Sequence, residues 1–123
     1  MYISVVTLPV TDYDRAIMFY VNLLGWEKTM DMPMGDERWI TIAPKDAKTS
    51  LTFEKVDEIG GQSDDPTQQH IRFILECDDV SKLYATLKNR GATFIDEPVQ
   101  HPWGWWAMLR DSEGNTLGLH SPV

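Results

Sequence analysis

The chain has 123 residues, about the length of one domain. Its 19 Asp and Glu outnumber 11 Lys and Arg, a net charge of −8. Spread along the chain, that charge repels phosphate backbones and anionic membranes and attracts cations, which argues against nucleic acid and membrane as partners and favours a cationic ligand. Hydrophobic residues at 42% are enough for a core. No apolar stretch approaches the roughly 20 residues of a membrane span. The opening Met1-Tyr2-Ile3-Ser4-Val5-Val6 has neither a basic region nor a small-residue cleavage site. Cys77 is the single cysteine, so no disulfide can close within the chain. A cytoplasmic protein is expected, with Cys77 a buried structural thiol in the apolar run 73–77.

Residues 3–8 are apolar and largely β-branched and read as a strand whose end is disturbed by Pro9. Asp12 follows as a helix N-cap, since its carboxylate can accept an orphan N–H of the first turn. Ala16, Ile17, Phe19, Tyr20, Leu23 and Leu24 recur at helical spacing up to Gly25. Three strand-like runs come next, at 26–32, 38–43 and 50–55, separated by Pro33-Met34-Gly35-Asp36 and Pro44-Lys45-Asp46. Residues 60–66 are polar, glycine-rich and without pattern, and read as a linker.

Beyond them the same order returns. Residues 71–77 form an apolar strand, Asp78 or Asp79 caps, and Val80, Leu83, Tyr84 and Leu87 make a helical stripe ending at Gly91. Strand-like runs follow at 92–95, 105–109 and 116–120. From Asp12 to Gly25 is 13 residues, and from Asp79 to Gly91 is 12. Matched helices in a repeated strand–helix–strand–strand–strand order make an internal repeat of about 60 residues. The expectation is an α+β fold of two βαβββ modules, 1–59 and 67–123, forming a half-barrel cleft, because one module cannot bury its open sheet face alone.

Several segments carry a family resemblance. Leu8-Pro9-Val10-Thr11-Asp12, Ala16-Ile17-Met18-Phe19-Tyr20 and Leu24-Gly25-Trp26 make one set. Asp79-Val80, Leu83-Tyr84, Leu87, Arg90-Gly91 and Phe94 repeat its helix. Gln100-His101-Pro102-Trp103-Gly104 and Arg110-Asp111-Ser112-Glu113-Gly114-Asn115 form a hairpin signature. In order and spacing, over essentially the whole chain, these resemble the vicinal-oxygen-chelate superfamily, which includes glyoxalases, bleomycin-resistance proteins and dioxygenases. The resemblance implies the βαβββ fold, a homodimer and, in metal-dependent members, four ligands, mostly His, Glu and Gln, from the first and last strands of each half. It places those ligands at Val5, Thr52, Arg72 and Gly118. Val and Gly offer no lone pair and Arg is a permanent cation, so no metal cofactor is expected there. A shifted set of Glu54, His70 and His120, each one alternation step away, has the right chemistry for a divalent metal but needs three strands to slip together. Taken singly, His70 reads as a strand-start residue, His120 as a surface or interface histidine, and Glu54 as a solvated charge.

Five tryptophans are many for this length. Trp39, Trp103 and Trp105, with Thr52 and Arg72, are the expected ligand-binding set, because indole faces offer flat apolar area and attract cations. Trp105 and Trp106 point to opposite sides of their strand, and Trp106 and Trp26 read as core or dimer packing. Arg72 is expected to pair with Glu54 or Glu76, or to hold a carboxylate-bearing ligand. Met18, Met30, Met32, Met34 and Met108 read as gap-filling residues. The function these features point to is metal-independent binding of a small cationic or planar aromatic molecule. The alternatives are a lyase, isomerase or dioxygenase using the shifted metal site, and an effector-sensing or structural relative without chemistry.

Overall fold

In the computed structural model, which describes residues 1–123, the chain divides into two units, Met1–Ile59 and Gly60–Val123. In the first unit the opening apolar run is β1 (Val5–Val10). Asp12 is extended and its side chain accepts from the Arg15 N–H at 3.1 Å, starting α1 (Tyr13–Met18). The helix does not continue in α form to Gly25 as the spacing suggests. It widens into a π-helical turn at Phe19–Leu23, closed by the Leu24 N–H donating to the Phe19 carbonyl at 3.1 Å. Strands β2 (Glu27–Met34), β3 (Glu37–Ala43) and β4 (Ser50–Lys55) follow. Pro33 and Met34, expected in a turn, extend β2, and the reversal is confined to Gly35-Asp36.

The first sheet has the order β1-β4-β3-β2, with β1 parallel to β4 and the other pairs antiparallel. Leu8, Val10, Ala16, Tyr20, Ile40, Ile42, Leu51 and Phe53 are buried between helix and sheet. Tyr20 centres this core, its ring 5.1 Å from Trp26 and 5.9 Å from Phe53. At the edge of the same face Arg38 donates to Asp31 on β2 and Asp14 on α1, and lies 5.5 Å over the Tyr13 ring.

The second unit repeats the plan. Strand β5 (Ile71–Glu76) leads to α2 (Val80–Asn89), capped by Asp79, whose carboxylate accepts from the Lys82 N–H at 3.0 Å. The next sheet position is one interrupted strand, β6 (Thr93–Phe94) and β7 (Val99–His101), both antiparallel to β8 (Gly104–Arg110). Between the two pieces the Asp96 carboxylate takes over the Met108 N–H at 3.1 Å, so the break leaves that donor satisfied. Strand β9 (Thr116–Ser121) completes the order β5-β9-β8-β6, again with its first and last strands parallel. Val80, Leu87, Ala107, Leu109, Leu117 and Leu119 form the core, and the Ser121 hydroxyl accepts from the Val80 N–H.

Residues 60–66 lie within the second unit and are bound to it by side chains. Arg72 donates to the Gly60 carbonyl, Arg110 and Gln69 donate to that of Ser63, and Gln62 donates to that of Gly114. Two carbonyls of the glycine-rich run, those of Gly60 and Ser63, are thus met by side chains of the second unit. Cys77 is half-buried rather than buried, and burial pushes its thiol pKa up.

Candidate functional site

The richest cluster of aromatic and titratable groups lies on the sheet face of the second unit opposite α2. Side chains alternate along a strand, so the Ser121–Val80 bond places Ser121, Leu119 and Leu117 toward the helix and His120 and Gly118 on the open face. Glu76 on β5 is the register partner of His120 and reaches the same face. Its Oε1 lies 2.6 Å from His120 Nδ1, and the Trp103 carbonyl lies 3.0 Å from His120 Nε2. A carboxylate and a carbonyl are acceptors, so the pair favours the imidazolium form of His120, in which both ring nitrogens donate. The Glu76 carboxylate first, and then the Trp103 carbonyl, hold its pKa above the ordinary histidine range.

Trp103 sits in the turn between β7 and β8 and is 55% exposed. Two imidazoles stack against it. His120 stacks at 5.7 Å between centroids with an interplanar angle of 23°, and His101 stacks at 4.5 Å and 4°. The turn depends on Gly104, whose φ is +134° and where a Cβ would run into the Ser121 carbonyl and the His120 ring.

Trp106 completes the cluster, edge-on to Trp103 at 6.0 Å. Its indole lies across Gly118, where a Cβ would meet ring atoms at 3.0 Å or less. Trp105 and Trp106 do point to opposite sides, but Trp106, expected as packing, is the one that joins Trp103. Trp105 turns to the helix face and lines a cavity of about 430 Å³ with Asp78, Asp79, Ser81 and Ser121.

The remaining expected site residues are placed as follows. Arg72 pairs with neither Glu54 nor Glu76; its Nε donates to Asn115 Oδ1 at 3.1 Å and its Nη2 to the Gly60 carbonyl at 3.2 Å. The bulge between Ile71 and Phe73 turns it out of the simple strand alternation. In the first unit Thr52 is buried between its register partners Thr7 and Thr41, and its hydroxyl has no hydrogen-bond partner. The neighbouring Thr29 and Thr41 hydroxyls bond each other at 2.7 Å. Trp39 is half-buried on that face, and Glu54 is exposed.

The donor chemistry does not fit a metal at Val5, Thr52, Arg72 and Gly118: only Thr52 has a lone pair to offer, and the space beside Gly118 is filled by the Trp106 ring. No three His, Cys, Asp or Glu side chains converge to hold a metal ion. Both His120 nitrogens are engaged, and the His70 ring packs beside Gly61. Sequence reasoning missed His101 and Glu76 as members of the cluster. The Gln100-His101-Pro102-Trp103-Gly104 run held one signal, and the pairing of Glu76 with His120 needed the β5–β9 register.

The comparisons agree with this architecture. Residues 2–119 match the family described as the Glyoxalase/Bleomycin resistance protein/Dioxygenase superfamily. The uncharacterized protein YetH of Bacillus subtilis is 32% identical over 118 residues, 95% of each chain. A crystallised superfamily member from Sphaerobacter thermophilus superposes with a TM-score of 0.83 at 30% identity, covering 98% of this chain and 97% of its own. TnmS3, an antibiotic binding protein from Streptomyces sp. CB03234, gives a TM-score of 0.81 at 33% identity, over 100% of this chain and 97% of its own. Repeated βαβββ topology, matched residues and superposition together make this chain a member of the glyoxalase/bleomycin resistance protein/dioxygenase superfamily.

Proposed function

We propose that this chain is a metal-independent binding protein for a small planar, cationic molecule. The observation that carries this reading is the Trp106 indole lying in the space beside Gly118, where the resemblance puts a metal ligand. An aromatic surface has replaced a donor there. Trp103 is the stacking platform, and the chain's net charge of −8 draws cations toward it. Trp39 and Thr52 are assigned to ligand contact on the first unit's own sheet face. The similarity to an antibiotic binding protein supports ligand binding over catalysis. We assign the protein to the cytoplasm, consistent with its lone cysteine and with the absence of any helix long and apolar enough to cross a membrane. Exposed Met30, Met32 and Met34 on one strand support a homodimer, to be checked by light scattering.

The test joins elemental analysis with tryptophan fluorescence. Protein purified without chelator should hold far less than one equivalent of Mn, Fe, Co, Ni or Zn. Ethidium, a planar cation, should quench the fluorescence saturably, and Trp103→Ala should weaken its binding about fivefold to thirtyfold, the scale of one stacked cation–π contact. Stoichiometric metal lost in His120→Ala would overturn the proposal in favour of a metal-dependent lyase, isomerase or dioxygenase.

A further inference from the structure

The two imidazoles on Trp103 are held very differently. His120 is fixed through both nitrogens, to Glu76 and to the Trp103 carbonyl, and its strand β9 runs between β5 and β8. His101 makes no side-chain hydrogen bond or ion pair, and only its ring stack holds it in place. It ends β7, a strand of three residues paired on one side to β8, and Val99 at the other end of that strand is exposed. Short edge strands with few contacts open at low free energy. Even so, the His101 ring lies nearly parallel to the indole, 4° off at 4.5 Å, which is the stacking position a flat aromatic ligand would need.

We infer that His101 stands in for the ligand: its imidazole stacks on the Trp103 indole in the free protein, and a flat cationic ring binds by displacing it. This rests on the binding reading above and adds the class of ring and the route of entry. The displaced imidazole loses only its stack, because it breaks no hydrogen bond. A larger delocalised cation gains more contact area on the indole than the imidazole gives up.

The experiment is an ethidium titration of the wild type, His101→Ala and Trp103→Ala, paired with NMR of the histidine ring protons. Removing the internal competitor should tighten ethidium binding about threefold to tenfold and speed association, while Trp103→Ala loses most of the affinity. In the free wild-type protein the His101 Hε1 and Hδ2 signals should be shifted upfield by the indole ring current, and ethidium should move them toward unstacked values. Unchanged or weaker binding in His101→Ala, with wild-type binding intact, would overturn this inference alone and make His101 a clamp on the ligand. His101 signals that stay put at ethidium saturation would do the same. If ethidium and other planar cations bind neither the wild type nor His101→Ala, the binding reading fails, and this one with it.

Discussion

His120 shows how one side chain can set the charge and the shape of a site together. Because Glu76 and the Trp103 carbonyl favour its protonated form, its folded pKa lies above the unfolded value of 6.5. The stability it contributes is therefore complete below about pH 6.5 and is lost as pH rises through the raised folded value. Wild-type protein should unfold at lower urea concentration at pH 8.5 than at pH 6, and Glu76→Gln should flatten that difference. An equal slope in both would show that the 2.6 Å contact does not govern the titration. Which tryptophan joins His120 was beyond a residue-by-residue reading. Alternation separates Trp105 from Trp106, but only a fixed reference on the next strand, Gly118 beneath the indole, says which of the two shares the histidine's face.

At the level of elements, the helix starts were legible because their chemistry is local. Asp12 and Asp79 each accept from an N–H three residues on, at 3.1 and 3.0 Å, as the repeat suggested. Asp79→Ala should lower stability by about 0.5–2 kcal/mol, read as a shift of the urea midpoint at constant slope; an unchanged midpoint would mean the cap is solvated in solution. The π-helical end of the first helix was not legible, since apolar spacing near 3.6 residues fits an α-helix equally well over so short a stretch. Nor was β7, whose three residues after Pro98 are too few to show alternation. Residues 60–66 looked like a free linker because their composition is polar and glycine-rich. The Gly60 and Ser63 carbonyls instead accept from Arg72 and Arg110, and partners that far along the chain leave no local pattern.

For the molecule as a whole, the repeat could be read from the sequence, because it depends on spacing, while the positions Val5, Thr52, Arg72 and Gly118 came only from the family resemblance. The Trp103 stack could not be read, because it joins residues from β5, β7, β8 and β9. The net charge of −8 acts on every ligand that approaches. Association of a planar cation such as ethidium should slow about tenfold from low to physiological salt, while a planar anion should speed up; a salt-independent rate by stopped flow would remove charge steering from the account. The packing of Trp106 on Gly118 also bears on ancestry. A carboxylate or imidazole can enter position 118 only after the indole has gone, and losing the indole alone opens a hole beside the platform. Each step is harmful without the other, so drift by single substitutions meets a barrier in either direction. The indole and the glycine act as a ratchet: neither position changes freely while the other stays.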